Sequence, residues 1–271
     1  MRIAYPFFNG DHNCDTHPVQ LLLPGNEFTL ELIAKAKGNS KLCCSRVNYS
    51  LPRQFHVIGP KTSVTVLVGE EAVFSCHLSP PVDAQKMEVK WYRDHPSNIL
   101  YHYKNFQHHM EQQSPEYQRR TELLGENMNK GQVSVRILHI RPSDEGVYKC
   151  LFINSTYYNE AQFQVWVIGP GTVPHIYIEH GKAKEIKLTC TSIGWYPQPE
   201  VQWSDQQGQN LATALETKIT EDDGLYHVET SIMVDKDSKG SVSCFIRNSF
   251  FNVEKEAHIS LSGQFPPKSS S

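Results

Sequence analysis

One spacing constrains this chain more than any other feature, and it occurs twice: a cysteine, a tryptophan shortly after it, then a second cysteine. Cys76, Trp91 and Cys150 form the first set; Cys190, Trp203 and Cys244 form the second. None of these cysteines belongs to a C-x-x-C pair, the spacing of zinc and thiol-redox sites, so structural disulfides are the expectation. Such bonds persist in oxidising compartments. The remaining cysteines, Cys14, Cys43 and Cys44, fall in residues 1–54, a stretch with no sustained period of 2 or 3.6.

From residue 55 the pattern becomes regular. In MEVKWYR, Met87, Val89 and Trp91 alternate with Glu88, Lys90 and Tyr92; in VYKCLFI, Tyr148, Cys150 and Phe152 alternate with Lys149, Leu151 and Ile153. AVFSCHL, QVSVRI and AQFQVWV repeat the device, and EIKLTC, EVQW, YHVETSIMV and SVSCFIR do so again further on. Period-2 alternation means strands that bury one face and wet the other, the antiparallel arrangement. Many such strands around a Cys–Trp–Cys set predict an immunoglobulin sandwich, its tryptophan packed on an inter-sheet disulfide. The predicted class is therefore all-β, with one sandwich over 55–168 and another over 172–262. The longer first cysteine interval leaves room for two extra edge strands, a variable-type domain; the shorter second one predicts a constant-type domain. Tyr148, two residues before Cys150, fits a tyrosine corner, and Arg120 is the expected ion-pair partner of Asp144. Residues 263–271 read as a polar tail, and Gly169-Pro170-Gly171 as an interdomain hinge.

Charge excludes some functions. With 26 basic and 29 acidic residues the net is −3, which gives no reason to expect nucleic acid or an anionic membrane as partner. No run approaches the ~18 apolar residues needed to cross a bilayer, and no signal-peptide h-region is visible. No G-x-S-x-G, H-E-x-x-H or glycine-rich nucleotide loop occurs, so neither an enzyme nor a cofactor is expected. His95, His102, His108 and His109 lack a recognisable metal-ligand spacing and are read as solvated.

Several stretches resemble the butyrophilin and butyrophilin-like family, including the related proteins that select epithelial T cells. They are VGEEAVFSCHLSP, MEVKWYR, EYQRRTELL and RPSDEGVYKC in the first domain, and LTCTSIGWYPQPEVQW, SVSCFIRN and EKEAHIS in the second. The resemblance implies a cell-surface ligand, on the external side of the plasma membrane, that binds a receptor on T cells. It further implies regulation of T-cell activation, T-cell receptor signalling and cytokine production, or a homo- or heterodimer with a family member, an adhesion module or a soluble decoy. In the family a signal peptide precedes residues like QFHVIGP, so residues 1–54 are expected to come from an alternative or misassigned first exon or to be a disordered extension.

The binding face is expected on the outward side of the sheet holding Trp91. There we expect Glu88, Lys90 and Tyr92 on one strand, Lys149, Leu151 and Ile153 on the next, and Gln162 and Gln164 on the last. Asn154-Ser155-Thr156 is an N-glycosylation acceptor in the loop between the last two strands; Asn48-Tyr49-Ser50 is a second match, in the unpatterned segment.

Overall fold

The structure, a computed structural model, describes residues 14–15, 27–36, 43–50, 54–180, 185–220 and 223–262. The chain divides into two compact units, Met1–Gln54 and Phe55–Ser271. In the first, strands β1 (Cys14–Asp15), β2 (Glu27–Ala36) and β3 (Cys43–Ser50) pair antiparallel in that order. The 263–271 tail lies outside the described residues.

The second unit holds two sandwiches. The first contains β4 (His56–Ile58), β5 (Val64–Leu67), β6 (Ala72–Ser79), β7 (Glu88–Arg93) and β8 (Ile99–Lys104). It continues with β9 (Gln107–His108), β10 (Thr121–Leu124), β11 (Gln132–Ile137), β12 (Gly146–Ile153) and β13 (Tyr158–Pro170). One sheet runs β10-β11-β6-β4; the facing sheet runs β13-β12-β7-β8-β9, with β5 added parallel to β13. We call the latter the front sheet.

Alternation explains why these segments are strands. Ala72, Phe74, Cys76 and Leu78 are buried on β6 while Val73 and His77 are exposed. The Cys76–Cys150 disulfide ties β6 to β12 across the sandwich. Trp91 is fully buried beside Phe163, ring centroids 6.4 Å apart, and Phe74 packs on Tyr148 at 5.0 Å. The Tyr148 hydroxyl donates to the Asp144 carbonyl at 2.7 Å, closing the corner at Pro142–Asp144. Arg120 donates from Nη2 to Asp144 Oδ2 at 2.5 Å and from Nη1 to Oδ1 at 3.2 Å, with Asp144 1% exposed. This buried pair is satisfied further by backbone: Arg120 also donates to the Leu138, Glu116 and His139 carbonyls. Full satisfaction is what makes a buried ion pair tolerable.

The second sandwich contains β14 (His175–His180), β15 (Glu185–Tyr196), β16 (Glu200–Asp205) and β17 (Leu215–Thr220). It is completed by β18 (Tyr226–Asp235), β19 (Lys239–Asn248) and β20 (Val253–Ser262). Its sheets are β14-β15-β18-β17 and β16-β19-β20, tied by Cys190–Cys244. Trp203 donates its indole N–H to Thr230 Oγ1 at 3.2 Å, which satisfies the ring's one polar atom in the core. A second core tryptophan, Trp195, does the same with Ser192 Oγ at 2.8 Å.

The junction differs from the expected hinge. Gly169 and Pro170, the end of β13, pair with Tyr196 and Trp195 of β15, so one strand serves both sandwiches. A Cβ on Gly171 would lie 2.1 Å from the Trp195 ring, and its φ is +64°. The glycine is there for close approach, and the segment is packed rather than free. Trp166 meets Phe250 at 5.5 Å and the Tyr196 hydroxyl reaches Glu145 Oε1 at 3.4 Å, adding contacts across the junction.

Candidate functional site

The outward side of the front sheet is built from three rows. Strand register aligns Tyr92, Lys149 and Gln162; then Lys90, Leu151 and Glu160; then Glu88, Ile153 and Tyr158. Gln164 stands opposite Val147 beyond the first row.

The first row is tied down. Tyr92 is only 6% exposed, its hydroxyl donates to Glu160 Oε2 at 2.6 Å, and Lys149 Nζ lies 5.8 Å from its ring centroid. Burial, then Glu160, raises its pKa well above the ordinary phenol value. Tyr92 belongs to the expected binding face, but Lys149 of the adjacent strand β12 and Glu160 of β13 beyond it close over its ring.

Glu88 is the hub of the third row. Lys104 Nζ is 2.8 Å from Oε2; Lys90 Nζ and His102 Nε2 are 2.9 and 3.0 Å from Oε1. Burial would raise the Glu88 pKa, but hydrogen bonds from Lys104, Lys90 and His102 outweigh it and bring the value to about 2. His102 is 3% exposed, which corrects the reading of all four histidines as solvated. It points outward opposite Lys90, yet the hairpin to β9 brings His109 over it, ring centroids 5.0 Å apart. Burial lowers its pKa despite the carboxylate. His109 faces Glu111 at 2.8 Å, His108 bonds the Tyr101 hydroxyl at 2.7 Å, and His95 is exposed. Among the described residues no group of three or more His, Cys, Asp or Glu side chains could hold a metal ion.

Beside the exposed Glu160 and Gln162, an apolar group stays accessible. Leu151 and Ile153 are half-buried, and Tyr158, opposite Ile153, is 68% exposed. The sequence reading missed Tyr158. Counting back by twos from Gln162 through Glu160 would have placed it on this face.

Family models give the same two domains. An immunoglobulin V-set domain matches residues 59–168, and a "Butyrophilin subfamily 3 member A2-like, Ig-C domain" matches residues 171–256. Butyrophilin subfamily 1 member A1 of Bos taurus is 36% identical over 214 residues, 79% of this chain and 41% of that protein. Human butyrophilin-like protein 2 is 37% identical over 206 residues, 76% of this chain and 43% of that protein. The crystal structure of bovine butyrophilin superposes with a TM-score of 0.67 at 36% identity, covering 77% of this chain and 99% of that one. The chain belongs to the butyrophilin family.

Within the butyrophilin relatives just named, the chain spans less than half the curated length. A chain from the complex of ICOS with ICOS-L also matches, with a TM-score of 0.63 at 22% identity, a likeness of fold. The butyrophilin chain is thus a V-set followed by a C2-set immunoglobulin domain, a non-enzymatic type. Among the described residues no helix is long and apolar enough to cross a membrane.

Proposed function

We propose that this butyrophilin-family chain is an extracellular ligand whose V-set front sheet docks a receptor on T cells, regulating T-cell activation, receptor signalling and cytokine production. The observation that carries it is the open patch of Leu151, Ile153 and Tyr158 on a sheet face where Glu88, Lys90, Lys149 and Glu160 are held in ion pairs. Apolar side chains framed by polar groups are the composition of a docking centre, whereas single exposed apolar residues are ordinary. Three converge here. The C2-set domain serves as a spacer. Family membership supports the cell-surface setting, as do two disulfides that need an oxidising compartment.

Leu151→Lys tests the reading. Leu151 is flanked by Lys90 and Glu160 and its outward end meets solvent, so the fold tolerates the change. Binding of the purified protein to T cells should fall at least about tenfold, the order of a hot-spot loss, with an unchanged melting temperature. Unchanged binding removes this face from the contact. Sedimentation of the same two proteins separates receptor docking from self-association, since only the latter changes the wild-type mass in isolation.

A further inference from the structure

β12 ends at Ile153 and β13 begins at Tyr158, so residues 154–157 form the turn between them. The Asn154 N–H donates to the Tyr157 carbonyl at 2.9 Å and closes it. The Asn154 side chain is then committed at one end. Its Oδ1 accepts from the Thr156 N–H at 3.0 Å, the Tyr157 N–H at 2.7 Å and the Thr156 hydroxyl at 3.3 Å. Two backbone N–H groups on one atom fix the amide orientation, because only the oxygen can accept. Nδ2 is therefore turned away from these donors. Ser155 and Thr156 are exposed, and Tyr157 anchors the turn by packing edge-on against the buried Phe55 at 5.2 Å.

We propose that Asn154 carries an N-linked glycan that covers the turn end of the front sheet and so narrows the Leu151, Ile153 and Tyr158 patch to its Leu151 end, the Lys90–Leu151–Glu160 row, for a protein partner. The second half rests on the partner reading above; the first does not. The acceptor sequence Asn154-Ser155-Thr156 is complete. In the transfer, Nδ2 bonds to the anomeric carbon of an oligosaccharide carried on a lipid pyrophosphate. The carbon–oxygen bond to the pyrophosphate breaks, the lipid pyrophosphate departs, and Nδ2 gives up one proton to a base. Oδ1 is untouched, so all three hydrogen bonds it accepts survive. The folded turn thus accommodates the product without losing a contact. Ile153 and Tyr158, the pair that flanks the turn, lie at the foot of the sugar, whereas Leu151 is one row further away.

The full chain, directed into the secretory pathway of mammalian cells by an added leader, provides the test. Non-reducing peptide mapping first establishes that Cys76–Cys150 has formed; peptide N-glycosidase then reveals the occupied site by converting its asparagine to aspartate. We expect conversion at Asn154, loss of that glycan in Thr156→Ala and its return in Thr156→Ser. Secreted, disulfide-bonded protein with Asn154 unmodified overturns the proposal. Asn154→Asp keeps the acceptor oxygen of the turn and provides a folded, sugar-free form. Its binding to T cells should equal or exceed that of the glycosylated protein. Weaker binding would overturn the covering role, because the sugar would then be part of the contact. Absence of binding by both forms would sink the partner reading and leave site occupancy to the mapping.

Discussion

Glu88 and His102 hold less tightly to protons in the fold than in the open chain. For Glu88 the hydrogen bonds from Lys104, Lys90 and His102 lower the pKa from 4.5 to about 2 against the effect of burial; for His102 burial lowers it from 6.5. The sign follows directly. As pH falls, the unfolded state takes up these protons first, so stability is full above pH 6.5, declines as unfolded histidine protonates, and declines again below 4.5. The urea midpoint of the protein should therefore drop between about pH 7 and pH 5.5, near the ordinary histidine pKa. His102→Gln should flatten that step while keeping a donor toward Glu88. A step of equal height in the variant would show that other groups cause it. Alternation marks His102 and Tyr92 as outward but is silent on what lies over them. The cover on Tyr92 comes from Lys149 and Glu160 on other strands, and that on His102 from His109 across a hairpin. Burial of an outward residue is a property of the sheet, so no single stretch records it.

At the scale of elements the strands are the part most openly written. Val89 and Trp91 on β7, and Cys150 and Phe152 on β12, are buried as their alternation requires. Such a pattern locates a strand's two faces but leaves its end open, and the end of β13 is where the hinge reading fails. Glycine beside proline reads locally as a turn, while the pairing of Gly169 and Pro170 depends on Trp195 and Tyr196, residues of another domain. Two glycines separate backbone strain from packing. Gly171 and Gly194 both have positive φ, +64° and +83°, yet a Cβ on Gly194 meets nothing within 4 Å. Gly194→Ala should cost about 1–2 kcal/mol, the left-handed backbone penalty alone. Gly171→Ala adds a collision with the buried Trp195 ring and should lose at least about 3 kcal/mol, in the range of core disruption. Equal losses in urea melts would show that Trp195 yields at no cost.

At the scale of the molecule each sandwich has its own core and its own bridge, with a sequence separation of 74 from Cys76 to Cys150 and of 54 from Cys190 to Cys244. Chain-entropy arguments assign about 4 kcal/mol to each, and the logarithm makes the two nearly equal. That is a large share of the ~5–15 kcal/mol net stability of a domain. Replacing either cysteine pair with alanines should lower unfolding stability by comparable amounts, read from urea melts of the two variants. A loss confined to one pair would mean that the other is strained or its unfolded loop already structured.

The strand shared by the two sandwiches also has a mechanical meaning. When the two domains are pulled apart, tension enters at β13 and leaves toward β14 through Gly171 and Thr172. Their N–H groups are bonded to the Gly194 and Ile193 carbonyls at 3.2 and 2.9 Å, beside the Gly169–Tyr196 pairing. Separating the domains therefore has to break these bonds together with the strand pairing beside them. A pull on the front sheet would meet a stiff bracket in place of a swivel, and the force would pass into the second domain with the sheet still held at its original angle.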